Sequence, residues 1–143
     1  MIVLDTTVLI YAAGTEHPLK APCERALEAV ATGAIRATTI AGVLQEFASV
    51  WARRRPRKDA SARALDYLAM LAPLQRVDEQ DLEAGLRLYE RHTDLGSFDA
   101  VLAAVALERN AQALVSADRA FAAVRGLPYV NPASPELDEL LGG

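Results

Sequence analysis

The sequence predicts a three-layer α/β/α fold around a mostly parallel central sheet, and three observations predict it. Short apolar runs alternate with helix-length segments whose apolar residues recur at 3- and 4-residue spacing along the whole chain. The strict polar–apolar alternation of one-sided antiparallel strands is scarcely visible, so the strands read as buried on both faces. With 143 residues, 52% of them hydrophobic, the chain suits a single domain, 1–143, with one sizeable core.

The elements follow in order. Ile2 to Leu4 is an apolar run ending at Asp5, and Thr6 to Ala13 begins a helix with Asp5 or Thr6 as its cap. Gly14 to Pro18 reads as a loop, after which Cys23, Leu27, Val30 and Ala31 mark an amphipathic helix ending near Gly33. Ile35 to Thr38 reads as a second strand. Thr38 or Thr39 is placed to cap the next helix, whose apolar face includes Val43, Leu44, Phe47, Val50 and Trp51 and which carries Glu46. Pro56 ends it. Asp59 or Ser61 can cap a further helix with Ala64, Leu65, Leu68 and Leu71 as its inward stripe, closed by Pro73.

Leu74 to Val77 is a candidate third strand, and Asp78 to Arg91 a helix with an acidic first turn and Leu82, Leu86 and Tyr89 at helical spacing. Ser97 caps Phe98 to Glu108, a run of Ala, Leu and Val that reads as buried on most of its circumference, with Asp99 in its first turn. Ala113 to Val115 is a buried strand followed by Asp118, then a short helix from Arg119 to Val124 and a last strand from Leu127 to Val130. The tail from Asn131 onward carries no clear pattern.

Composition narrows the function. Apolar stretches are broken by charge within about a dozen residues, short of the roughly 18–20 needed to cross a bilayer, and the apolar N-terminus carries Asp5 with no basic leader. The expectation is a cytoplasmic protein with no membrane association. Cys23 is the only cysteine, which excludes an intramolecular disulfide and a thiolate metal cage. The net charge of −4 argues against binding nucleic acid by bulk electrostatics. Yet Arg53, Arg54, Arg55, Arg57 and Lys58 put five of the 15 basic side chains within six residues, either a binding patch or a solvated helix end.

Ligands of an open parallel sheet bind beyond the carboxyl ends of its strands, where Asp5 and Asp118 fall. Asp99 at a helix start and Glu46 among apolar neighbours can join them. Singly, each aspartate has an ordinary explanation as a cap, a dipole partner or a turn residue. Glu46 is harder to explain that way, because a carboxylate amid large apolar side chains needs a partner, and no lysine is near. If the four meet, their repulsion opposes folding unless a hard divalent cation such as Mg²⁺ or Mn²⁺ offsets it. Cations held by such a set can activate water and polarise a phosphoryl oxygen, the chemistry of phosphodiester hydrolysis.

The blocks MIVLDTTVLIY, VLQEFASV, LGSFDAVLAAVALE and ALVSADRAF, in this order over residues 1 to about 130, resemble a PIN-domain protein, and more narrowly a VapC-type toxin. The resemblance implies an Mg²⁺- or Mn²⁺-dependent endoribonuclease, the toxin of a toxin–antitoxin pair, with Asp5, Glu46, Asp99 and Asp118 as catalytic, metal-binding carboxylates. It implies Thr6 and Ser116 as auxiliary hydroxyls that orient water or a carboxylate, unless they only cap turns. Arg53, Arg54 and Arg55 become candidate contacts for RNA or the antitoxin. Partners implied are an RNA substrate, a small cognate antitoxin laid across the active-site groove, and a second copy in a homodimer, for which Leu65, Leu68 and Leu71 offer apolar surface. Neither the RNA nor the cleavage sequence is implied.

Two other readings remain. An inactive PIN module that binds RNA or a protein would be expected to lack one of the ligand carboxylates, and all four are here. A phosphoacceptor signalling domain also gathers acids at strand ends, but it needs paired acids after its first strand and a lysine at the site, and the chain's only lysines are Lys20 and Lys58. Neither GxGxxG nor GxxxxGK[ST] occurs to cradle phosphates, and His17 and His92 are isolated.

Overall fold

The structure, a computed structural model, is described for residues 1–142. Four short strands form one sheet in the order β2-β1-β3-β4, parallel throughout: β1 Ile2–Leu4, β2 Ala37–Thr38, β3 Ala113–Val115 and β4 Tyr129–Val130. Every residue of β1 and β3 is fully buried, as central strands covered on both faces require. Among the described residues seven helices complete a three-layer α/β/α arrangement: α1 Thr6–Ala13, α2 Lys20–Ala31, α3 Ala41–Trp51, α4 Arg57–Leu71, α5 Glu79–Arg91, α6 Ser97–Glu108 and α7 Glu136–Leu140. The segment after Asp118 is a 3-10 turn, Arg119–Ala123.

The chain leaves β1 for β2 on one side and returns to β3 on the other, so the strand order reverses between β1 and β3. Their registers align Leu4 with Val115, which puts Asp5 and Ser116 side by side at the carboxyl edge of that reversal. An open α/β sheet offers its binding crevice at such a point.

Several expectations change. Leu74 to Val77 forms no strand; its single parallel bridge, Ile40 with Gln75, stops where no further backbone aligns. The caps differ as well. Ile40, Pro56 and Gly96 precede α3, α4 and α6, while Thr39 instead donates to Leu4 O at 2.7 Å and Thr38 to Pro73 O at 3.0 Å. Thr39 thus ties the end of β2 to the last residue of β1, and Thr38 ties β2 to the segment after α4, so neither caps α3.

Packing explains two further departures. On α4, Ala60, Tyr67 and Leu71 face inward, whereas Leu65 and Leu68 are exposed. Tyr67 wins the inward position because its ring meets Phe47 edge-on at 5.0 Å and its hydroxyl donates to Leu9 O at 3.1 Å. On α5 the core face is Asp81 and Gly85, leaving Leu82, Leu86 and Tyr89 exposed. A Cβ on Gly85 would stand 2.6 Å from the Val101 Cα, so α5 and α6 approach at backbone contact and the bulkier residues turn outward. Arg109 clamps this pair by donating twice to Asp81, at 2.6 and 2.8 Å, which lowers the Asp81 carboxyl to about 2. In the tail, Leu137 of α7 is fully buried against the core.

Candidate metal centre

Asp5 precedes the first turn of α1 in extended conformation, yet its side chain makes no capping hydrogen bond. The carboxylate turns instead into the crevice, where Ser116 Oγ donates to Oδ2 at 2.6 Å and Thr7 Oγ1 donates to the same oxygen at 3.0 Å. Each hydroxyl accepts in turn from backbone, Ser116 Oγ from the Asp118 N–H at 3.0 Å and Thr7 Oγ1 from the Ala117 N–H at 2.9 Å. Donors behind them fix the direction of both protons, so Asp5 is held by one oxygen in a set orientation. Burial pushes the Asp5 carboxyl above its ordinary range, opposed by the Ser116 and Thr7 hydrogen bonds and reinforced by Glu46.

Asp99 sits half-buried in the first turn of α6. Its carboxyl is pushed up to about 7, by burial first and then by repulsion from Asp5, Glu46 and Asp118. Asp5, Glu46 and Asp118, the other three acids expected from the sequence, thus all lie near enough to act on Asp99. Asp118 also keeps a local role, accepting from the Ala120 N–H at 2.9 Å to cap the 3-10 turn.

Glu46 is placed differently from its expected apolar setting. Val43, Leu44, Phe47 and Trp51 carry the buried face of α3, and Glu46 lies off that face, exposed to solvent. It meets the cluster from the rim. Thr6 is buried with its hydroxyl unpartnered, while the neighbouring Thr7 makes the contact to Asp5. Nothing in the sequence separates the two threonines, because only the helical turn decides which one points into the crevice. Tyr129 and Asn131 also escape sequence reasoning: the Tyr129 hydroxyl donates to Ser116 O and accepts from Asn131 Nδ2, both at 3.0 Å, and so braces the end of β3.

The basic run lies beyond the C-terminal end of α3, beginning seven residues after Glu46. Arg55 stacks on Trp51 at 3.5 Å from the ring centre. Arg53 and Arg57 line an open concavity of about 500 Å³ between α3 and α4, and Arg54 faces solvent. Among the described residues none of the three arginines expected as contacts forms an ion pair with the four carboxylates.

The donor set fits a hard divalent cation. All candidate ligands are carboxylate oxygens, and the ion pairs among the described residues, on Asp59, Asp81, Glu83 and Asp138, leave the four carboxylates without a cationic partner. Among the described residues no three acids are drawn tightly enough together to cage an ion outright. Mg²⁺ does not require that, since it keeps several waters and binds through one or two carboxylates.

Strand ends and a reversal point with acidic side chains beside it define an open α/β domain with an acidic crevice. The PIN domain family model matches residues 2–127, and the chain belongs to the PIN-domain family. It is 48% identical to Ribonuclease VapC7 of Mycobacterium tuberculosis, over 99% of each chain. It is 29% identical to VapC ribonuclease Mb1869c of Mycobacterium bovis, over 89% of this chain and 97% of the relative. Its fold matches the crystal structure of VapBC2 from Rickettsia felis bound to a DNA fragment from their promoter, with a TM-score of 0.72 at 19% identity, covering 92% of this chain and 98% of the matched chain. Among the described residues no helix is long and apolar enough to cross a membrane.

Proposed function

We propose that this chain is a divalent-cation-dependent endoribonuclease acting as the toxin of a toxin–antitoxin pair. The observation that carries the reading is the placing of Asp99 beside Asp5, Glu46 and Asp118 at the sheet's reversal point, where among the described residues no cationic side chain pairs with any of the four. A full-length relative at 48% identity named as a ribonuclease supports the same chemistry here.

Asp5 and Asp99 would hold Mg²⁺ or Mn²⁺, with Glu46 and Asp118 completing the site. When bound, the cation would neutralise the cluster, lower the pKa of an attacking water and stabilise charge on a phosphoryl oxygen. Ser116 and Thr7 occupy Asp5 Oδ2, and among the described residues no side chain donates to Oδ1, which stays available as a ligand. Asp99 gives up its proton on loading. Glu46, exposed at the rim, is free to orient a water or the incoming RNA strand.

The antitoxin is proposed as a small protein that presents a basic side chain to the same carboxylates, a role their charge supports. A homodimer is supported by apolar surface, though not all of the expected residues supply it. Leu71 is fully buried, while Leu65 and Leu68 on α4 and Leu82, Leu86 and Tyr89 on α5 are exposed.

The test is incubation of the purified chain with bacterial total RNA in Mg²⁺, Mn²⁺ or EDTA, beside a folded Asp99→Asn variant, with sequencing of new RNA ends. Discrete cuts that require the cation and vanish in the variant are expected. A cation-loaded wild type that leaves RNA intact would leave only a binding module.

A further inference from the structure

Phe98 is the residue before Asp99, and its environment is unlike that of the other two phenylalanines. Phe47 and Phe121 are fully buried, whereas Phe98 keeps 38% of its surface exposed. The tip of its ring is seated on α3 at Gly42. A Cβ there would lie 2.5 Å from Phe98 Cζ and 2.6 Å from Cε2, so no residue larger than glycine fits without moving the ring. Gly42 lies in the first turn of α3 and has no positive φ to require glycine. The cleared space serves the ring.

Gly42 and Glu46 are one turn apart on α3, and Phe98 adjoins Asp99 on α6. The ring therefore bridges the two helices that deliver these carboxylates, and Phe98 stays partly exposed one residue from Asp99. RNA meets unfavourable charge here: four acids at the centre, a net charge of −4, and the arginine run at the far end of α3. A bound cation would offset that charge at the scissile phosphate, and a contact insensitive to charge would add affinity at the flanking nucleotide. An aromatic face supplies one, because unpaired bases stack on it whatever their identity.

We propose that Phe98 is a stacking platform for an unpaired base of the RNA, seating the nucleotide beside the phosphate that is cut. The proposal rests on the ribonuclease reading above and deepens it, assigning Phe98 as a substrate contact.

The experiment measures steady-state cleavage in Mg²⁺ of a short single-stranded RNA of mixed sequence carrying 2-aminopurine, using wild type, Phe98→Leu and Phe98→Trp. Mn²⁺ affinity and thermal stability are measured on the same samples. Phe98→Leu keeps apolar bulk over Gly42 but has no ring; it is expected to raise KM roughly tenfold, with kcat and Mn²⁺ affinity within about twofold of wild type. Phe98→Trp is expected to hold KM near wild type, and 2-aminopurine fluorescence is expected to be quenched by wild type and Phe98→Trp but not by Phe98→Leu. An unchanged KM in Phe98→Leu would overturn the proposal, as would a rise that merely follows lost Mn²⁺ affinity or stability. Wild type that cuts RNA while Phe98→Leu matches it removes this inference alone; wild type that neither binds nor cuts RNA removes the nuclease reading with it.

Discussion

Asp99→Asn takes a negative charge out of a crowded, half-buried cluster while keeping the shape of the side chain. The Asp99 carboxyl stands at about 7 against an ordinary 3.8, chiefly through burial and then through Asp5, Glu46 and Asp118. A change of that size corresponds to at most ~4 kcal/mol between protonation states. Asp99 retains solvent access, and screening brings the contribution to stability down to about 1–2 kcal/mol. The sign follows from linkage. The folded protein holds the Asp99 proton more tightly than the unfolded chain does, so metal-free stability is full below about pH 4 and declines as pH rises toward about 7. The variant lacks this decline. In EDTA at pH 8, Asp99→Asn should melt about 3–8 °C above wild type, and the gap should close as pH falls toward 4. Saturating Mg²⁺ should reverse the order, because only wild type gains the full stabilisation of a bound cation. Circular-dichroism melts from pH 4 to 8, with and without Mg²⁺, read all of this. A variant less stable than wild type in EDTA at pH 8, or a gap independent of pH, would refute the reasoning.

Ser116→Ala removes a donor from buried Asp5 Oδ2 and should cost about 1–3 kcal/mol in denaturant melts, with a roughly 10- to 100-fold loss of Mn²⁺ affinity. Unchanged affinity would show that the hydroxyl does not set the carboxylate. Cation affinity itself should weaken by up to about tenfold per pH unit below pH 7, with protons released on binding, as titration calorimetry in two buffers of different ionisation enthalpy would detect. Leu86→Glu places charge in the exposed stripe of α5 and should convert a dimer to monomers in sedimentation equilibrium, while a species identical to wild type would move the interface elsewhere.

The central strands and the helices with a strong apolar stripe are legible in the sequence, because burial on both faces leaves unbroken runs such as Ile2 to Leu4 and Ala113 to Val115. Leu74 to Val77 misleads because a strand-length segment between two helices, here Leu-Gln-Arg-Val, does not specify a neighbouring strand with which to pair beyond a single bridge. Leu82, Leu86 and Tyr89 mislead for a related reason. Periodicity identifies a helix face but not its cover, and on α5 the covered side is set by how closely Gly85 lets Val101 approach. At the site, the positions of Asp5 and Asp118 follow from strand ends alone. Thr7, Tyr129 and Asn131 do not, since hydroxyls and amides occur everywhere in loops and only tertiary geometry turns these toward Asp5 and Ser116. The exposure of Glu46 is implicit in the helical phase of Val43, Leu44, Phe47 and Trp51, once those four are known to be the buried set.

The central claim is that Asp5, Glu46, Asp99 and Asp118 form one cation site on which RNA hydrolysis depends. Its most direct test is a paired measurement on wild type and on Asp5→Asn, Glu46→Gln, Asp99→Asn and Asp118→Asn: Mn²⁺ affinity by titration, and cleavage of RNA in the same cation. Asp5→Asn and Asp99→Asn should lose cation and cleavage together, with the other two weakened in both. Cleavage that survives in a variant unable to bind the cation, or cation affinity untouched by all four substitutions, would contradict it.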